Sequence, residues 1–200
     1  MKFSFINPSP SHKSMYMVPT AWPPLGILYC AGVLRAEGIE VSLLDQPAKR
    51  FSLNQTLNWI KKEDPDILGF SVLLSTAKEA PKIAERVKAE NPNIKIVFGS
   101  HHSTFNAERI LNKYPFVDVV IRGEGEHTSL EIAKCLENHK DLDRVAGIIF
   151  RKNSRIITNP DRPLNKNIDD LPFPDRNLPD AQYDSAIFGV KINNKKFTTV

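Results

Sequence analysis

Apolar residues along this chain follow two alternating rhythms. Short runs rich in β-branched and aromatic residues occur at Lys2–Ile6, Glu40–Leu44, Ile67–Ser71, Lys95–Gly99 and Val117–Arg122. Each is too short for a helix and reads as a strand. Between them the spacing changes to three and four. Ala80, Ile83, Ala84 and Val87 recur at i, i+3, i+4 and i+7, as do Ala107, Ile110, Leu111 and Tyr114, and Thr128, Ile132, Cys135 and Leu136 follow with one position displaced. That spacing lays an apolar stripe along one side of a helix. Leu25–Glu37, closed by Gly38, and Asn54–Glu63, stopped before Asp64-Pro65, supply two more helices.

Five β-α units in strict alternation predict an α/β fold, a doubly wound five-stranded parallel sheet, because crossovers are right-handed and parallel strands are buried on both faces. The expected strand order is 2-1-3-4-5, Rossmann-like or flavodoxin-like, with ligands at the carboxyl ends of the strands beside strand 1. After the fifth helix the rhythm changes. Val145–Arg151 and Arg155–Thr158 alternate around Lys152-Asn153-Ser154, a β-hairpin pattern. Pro160, Pro163, Pro172, Pro174 and Pro179 then forbid long helices or central strands, so this stretch should run extended across the surface. A β-prone run over Lys191–Val200 begins and is cut off. The expected organisation is a domain over residues 1–140, a hairpin over 141–160 and a Pro-rich connector over 161–200 leading to a further domain.

Composition narrows the class. With 41% apolar and 25% charged residues in 200, the chain has the make-up of a globular domain and needs no disulfide or zinc staple. Cys30 and Cys135 stand apart in apolar stretches with no Cys-x-x-Cys pattern, which predicts buried free thiols in a reducing cytoplasm. Lysine and arginine outnumber acids 17 to 15 before residue 141 and 10 to 8 after it, so neither part is a basic patch for nucleic acid. No apolar run approaches the length of a membrane span, and the opening residues are too short for a signal peptide. A cytoplasmic location is expected.

The chemistry should sit in the loops after strands 1, 3, 4 and 5. The first, from Asn7-Pro8-Ser9-Pro10 to Trp22-Pro23-Pro24-Leu25-Gly26, is far longer than ordinary β-α loops, and its prolines stiffen it. Pro8, Ser9, Pro24, Leu25 and Gly26 are its candidate binding residues. After strand 3, Ser71, Val72, Leu73, Ser75 and Thr76 offer apolar side chains for a flat hydrophobic face and hydroxyls for its polar rim, or a helix cap with leucines in the core. After strand 4 come Gly99, Ser100, His101 and His102, where Gly99 permits close approach and Ser103 or Thr104 can cap a helix. Adjacent histidines in an extended segment point apart, and no third ligand is in sight, so no metal site is expected.

Gly123, Glu124, Gly125 and Glu126 follow strand 5. They imitate a dinucleotide fingerprint, but on the wrong strand and with carboxylates that would repel a pyrophosphate; those acids suit a helix N-terminus or the amides of a ligand. A Gly-x-x-x-x-Gly-Lys loop is absent, and Asn7-Pro8 stands where a receiver domain needs acids and a flavodoxin needs backbone donors.

Taken in order, Pro23-Pro24-Leu25-Gly26, Gly69-Phe70-Ser71, Gly99-Ser100-His101-His102-Ser103-Thr104, Gly123-Glu124-Gly125-Glu126 and Asp170-Leu171-Pro172-Phe173-Pro174-Asp175-Arg176 resemble the amino-terminal cobalamin-binding domain of cobalamin-dependent radical S-adenosylmethionine enzymes. The resemblance covers nearly the whole chain. It implies cobalamin as cofactor, and in the parent protein a four-iron four-sulfur cluster and S-adenosylmethionine, with methyl transfer or a related radical reaction as the outcome. The sequence departs from mutases and methionine synthases, whose Asp-x-His-x-x-Gly ligates cobalt: Ser9 falls at the histidine's place and His12 is out of register. Base-off cobalamin without a histidine ligand is therefore expected, on a chain not catalytic by itself. The alternatives are a non-catalytic sensor or interaction module, and a Rossmann-like nucleotide-sugar enzyme with Asp45 as its ribose clamp.

Overall fold

A computed structural model describes residues 1–11, 23–181, 183, 186–187 and 190–191. Strands β1 (Lys2–Asn7), β2 (Glu40–Asp45), β3 (Ile67–Ser71), β4 (Lys95–Gly99) and β5 (Val119–Ile121) are parallel and lie in the order β2-β1-β3-β4-β5, as the alternation predicts. The sheet does not stop at five. The hairpin strands β6 (Ile148–Lys152) and β7 (Arg155–Thr158) continue it antiparallel beyond β5, giving seven. The cause is the free edge of β5, which Ile148, Ile149 and Phe150 cover with buried side chains. Asn153 and Ser154 turn the hairpin with positive φ at both positions, which matches the right-handed twist of its strands. Short strands β8 (Ala186–Ile187) and β9 (Val190–Lys191) pair separately. The rest of the expected run over Lys191–Val200 lies outside the described residues.

The helices are α1 (Leu25–Ala36), α2 (Gln46–Lys49), α3 (Leu53–Glu63), α4 (Glu79–Glu90), α5 (His101–Lys113) and α6 (Glu126–Glu137). Helix α1 ends in a Schellman turn: the Gly38 N–H reaches the Arg35 carbonyl at 3.0 Å, the Ile39 N–H reaches that of Leu34 at 3.1 Å, and Gly38 supplies the positive φ of 79°. A Ser52/Gln55 capping box starts α3. Two expectations about helix starts need correction. Ser103 and Thr104 do not cap α5; the helix begins at His101, both lie within it, and the Thr104 hydroxyl bonds the Ser100 carbonyl. The histidine pair is thus helical, not extended.

Side chains alternate across the sheet. Ile6, Leu68, Phe70, Ile96, Phe98 and Val120 face one way, into a core closed by α3, α4 and α5. Phe3, Phe5, Ile67, Val97, Val119 and Ile121 face the other way, toward α1 and α6. By the same period of two, Gly69, Ser71 and Gly99 belong to this second face. In register, Gly69 lies between Phe5 and Val97, and Ser71 beside Gly99. Small residues therefore cluster on one face, toward the carboxyl ends of the central strands.

Gly69 is fixed by the aromatic pair next to it. Phe3 and Phe5 stack with centroids 4.5 Å apart, and a Cβ at Gly69 would stand 2.8 Å from the Phe3 ring and 3.0 Å from Phe5. Gly69→Ala should therefore lower stability by about 1–3 kcal/mol despite alanine's better strand propensity. Urea unfolding should show a lower midpoint at unchanged slope; an unmoved midpoint would mean the rings give way freely.

Candidate functional site

The second face carries a slot of about 730 Å³ that opens at the carboxyl edge of the sheet. Its floor is Phe3, Phe5, Gly69, Val97 and Ile121. One wall is the start of α1, with Pro24, Leu25, Gly26, Ile27 and Cys30, and the other is the turn Gly123-Glu124-Gly125-Glu126 with Ser129 of α6. Asn7, Ser71, Leu73, Gly99, Ser100, His101, Thr104 and Phe105 form the mouth, and Leu164 of the connector lines it as well. An adjoining cavity of about 780 Å³ shares Leu73, His101 and Phe105, and adds Ser11, Leu74, Ser75, Lys78, His102 and Asn106. Leu74 and Phe105 are more than 80% exposed and make an apolar shelf beside the mouth.

Most of the residues singled out after strands 3, 4 and 5 thus come together, and Pro24, Leu25 and Gly26 join them. Four do not. Pro8 and Ser9 are buried and line neither cavity; the Ser9 N–H is held by the Gln46 side chain at 2.8 Å. Val72 is core, packed with Phe70, Phe98 and the α4 residues. Thr76 is buried and spends its hydroxyl on the local turn, accepting from the Leu73 N–H at 2.9 Å. Ser75 and His102 belong to the adjoining cavity alone. His12 and Trp22 lie outside the described residues.

The turn after β5 is held from both sides. Gly123, at φ 75°, donates its N–H to the Thr104 hydroxyl at 3.1 Å. Glu124 accepts the Asn165 N–H at 2.8 Å, so one of its oxygens is already used by the connector. Gly125 packs closely on α1, where a Cβ would lie 3.2 Å from the Cys30 sulfur. Burial, with the Glu126 charge adding to it, pushes the Cys30 thiol up to about 12, and the Ser129 hydroxyl is its hydrogen-bond partner. The slot therefore contains a neutral thiol. Cys30 and Cys135 are free, and both are half-buried where full burial was expected.

The connector frames the slot. Arg162 donates to Thr128 at 2.8 Å, the Phe173 carbonyl comes so close to α1 that only Gly32 fits beneath it, and Asp175 pairs with Arg35 while its N–H bonds the Leu28 carbonyl. Farther on, Lys49 pairs with Asp180 at 2.6 Å and the Tyr183 hydroxyl donates to Asp45 at 2.9 Å. Asp45 also accepts from the Asn7 amide at 3.0 Å and is 2% exposed. It is not a ribose clamp: its carboxylate is enclosed and already partnered.

The sequence matches the profile of the family described as B12 binding domain over residues 16–133, more than half of the chain. The chain belongs to the B12-binding domain family. Among its relatives, the uncharacterized methyltransferase PH0819 of Pyrococcus horikoshii is 33% identical over 198 residues, 98% of this chain and 43% of that protein. The anaerobic magnesium-protoporphyrin IX monomethyl ester cyclase of Synechocystis is 30% identical over 171 residues, 84% of this chain and 34% of that one. This B12-binding domain thus spans less than half the length of either. In fold it is similar to the cobalamin-dependent S-adenosylmethionine radical enzyme OxsB, with a TM-score of 0.74 at 24% identity over 86% of this chain and 24% of that chain.

Among the described residues of the B12-binding domain, no three His, Cys, Asp or Glu side chains gather to hold a metal ion, and no helix is long and apolar enough to cross a membrane. The floor residues Phe3, Phe5, Val97 and Ile121, and the pair Cys30 and Ser129, were not among the candidates. For the four floor residues the signal was the period of two, which puts them on the same face as the strand glycines Gly69 and Gly99; Cys30 and Ser129 lie on α1 and α6, outside that rule. Gln46 gave no signal, since its role depends on a contact with Ser9 across 37 positions.

Asp45 makes stability depend on pH. Burial raises its carboxyl above the ordinary 3.8, against the lowering hydrogen bonds from Asn7, Tyr183 and the Ala48 backbone. The folded state then binds the proton more tightly than the unfolded one, so stability falls as pH rises from 3.8 through the folded value and levels off above it. Asp45→Asn should flatten that fall in thermal midpoints measured from about pH 3.5 to 7. An identical fall in the variant would assign it to other carboxyls.

Proposed function

We propose that this chain holds cobalamin base-off, without a histidine on cobalt, and presents it to a radical S-adenosylmethionine domain of the parent protein for methyl transfer or a related radical reaction. The observation that carries the reading is the slot itself. It is apolar over the central strands and opens onto polar groups at the rim and the Leu73, Leu74 and Phe105 shelf. Those surroundings suit a ligand with an aromatic tail and a broad face edged with amides. The relatives' names, a methyltransferase and a cyclase, support the pairing with radical chemistry and leave its outcome open between the two.

The residues divide the work. Phe3, Phe5, Val97 and Ile121 would receive the aromatic base, with Gly99 leaving the passage clear. Asn7, Ser71, Ser100 and Thr104 at the mouth offer hydrogen bonds to amide side chains of the ring. Leu73, Leu74 and Phe105 would lie against its face and exclude water. When bound, cobalamin supplies a cobalt centre that carries a methyl group; the parent's iron-sulfur cluster and S-adenosylmethionine would supply the radical. No strong donor is offered to cobalt where mutases use histidine, since Ser9 is buried with its N–H tied to Gln46. His101 lies at the mouth and on this reading stays a rim residue.

Titration of the chain with hydroxocobalamin, followed by gel filtration and a visible spectrum, tests binding. Gly99→Leu should lose the cofactor and still fold, because a Cβ there finds nothing closer than 4.0 Å; equal retention by both, with matching circular dichroism, removes Gly99 from the site. Electron paramagnetic resonance of the cob(II)alamin complex should show no nitrogen superhyperfine splitting. Splitting that disappears in His101→Ala or His12→Ala would identify a ligand and overturn the histidine-free reading.

A further inference from the structure

We propose that the slot selects among corrinoids by their lower base, taking flat apolar bicyclic bases of the benzimidazole class in preference to purines. This rests on the cobalamin reading above and adds a specificity to it. A benzimidazole and an adenine are close in size and both flat, so the walls cannot sort them by shape. They differ in hydrogen bonding: the purine carries an exocyclic amine and additional ring nitrogens, each of which loses water on entering the slot.

The floor offers those groups nothing. Phe3, Phe5, Val97 and Ile121 have no polar side-chain atoms, and all four are at most 6% exposed. The backbone beneath is committed to the sheet, with Gly69 in register between Phe5 and Val97. Among the described residues, the polar side chains of the inner walls are Cys30 and Ser129, which are each other's partners, and on the turn above them Glu124, which already accepts the Asn165 N–H, and Glu126, whose carboxylate offers no donor to a purine's ring nitrogens. The Ser129 N–H is bound to the Gly125 carbonyl at 2.8 Å. To satisfy a purine ring nitrogen, Ser129 would have to withdraw its O–H from the thiol. Every other hydrogen-bonding side chain of the slot, from Asn7 to Thr104, belongs to the mouth. A benzimidazole, with a single free ring nitrogen and no amine, meets fewer of these costs and gains contact with the Phe3 and Phe5 rings.

The test measures binding of three corrinoids to the unmodified chain by the visible spectrum: cobalamin, the adenine-containing cobamide, and cobinamide, which has no base. Cobalamin should bind about fivefold or more tightly than the adenine form, the low end of the cost of one buried unpaired polar group. Equal or tighter binding of the adenine form overturns the selectivity. Cobinamide binding as tightly as cobalamin also overturns it, by showing that the base does not enter the slot, while leaving the cofactor reading intact. Failure of all three to bind would sink both. Val97→Thr, nearly the same in volume, places a hydroxyl on the floor and should narrow the ratio between the two complete corrinoids. A ratio that stays fixed, with the variant folded by circular dichroism, would take the base away from Val97 and refute the assignment.

Discussion

The handedness of β-α-β crossovers decides where this molecule can bind anything. Right-handed connections carry α3, α4 and α5 to one face as the chain steps through β3, β4 and β5, and send α1 alone to the other face on its way to β2. Only α6, after the last parallel strand, returns to that second face. Two helices must then cover what three cover opposite. The two helices meet at Cys30 and Ser129, and the slot lies between them and the carboxyl halves of β3 and β4. Its position at the switch point beside β1 follows from chain order before any side chain is considered.

Side chains determine whether the opening fills or stays open. Large residues at Gly69, Ser71 and Gly99 would have closed it from below, as Leu68, Phe70 and Phe98 close the opposite face. The stacked pair Phe3 and Phe5 occupies the space that Gly69 gives up, so the floor is apolar and smooth instead of hollow. Residues 160–181 and Tyr183 are then tied down on either side of the opening, at Glu124 and Thr128 on one bank and at Gly32, Arg35 and Asp45 on the other. One of these ties, Arg35 with Asp175, is an ion pair with an exposed partner and is worth little alone. Tight backbone approach at Gly32 and the buried carboxylate of Asp45 constrain the path more strongly.

The alternation of apolar spacings made the five parallel strands, their order and five of the helices legible, because a period of two or of 3.6 records which face is buried. It also recovered most of the mouth, since loops at strand ends are where such folds bind. What it missed has a physical pattern. The hairpin's union with β5 depends on backbone pairing between distant segments, and nothing in Ile148–Phe150 names its partner strand. Val72 and Thr76 have the composition of a binding loop but turn inward, a matter of one residue's rotation beyond the strand end. Asp45 stood where an acid binds a ribose, yet Asn7 and Tyr183 enclose it, 38 and 138 positions away in sequence.

The division between an apolar interior and a polar rim bears on how the mouth could serve chemistry. Burying a bicyclic aromatic group removes some 150–250 Å² from water, roughly 4–6 kcal/mol at the usual transfer coefficient. On the proposed reading that affinity arises at the floor, around Phe3, Phe5, Val97 and Ile121, well apart from the shelf of Leu73, Leu74 and Phe105. Retention then does not require a protein donor on the metal. A site that must hold its cofactor through a cycle of changing oxidation states gains from this separation, because a strong axial donor would favour one state over the others. On that reading Ser9 can be packed away against Gln46 without loss: the residue at the position of a ligating histidine would have no holding to do, and its burial helps to fix the strand end that supplies Asn7 to the rim.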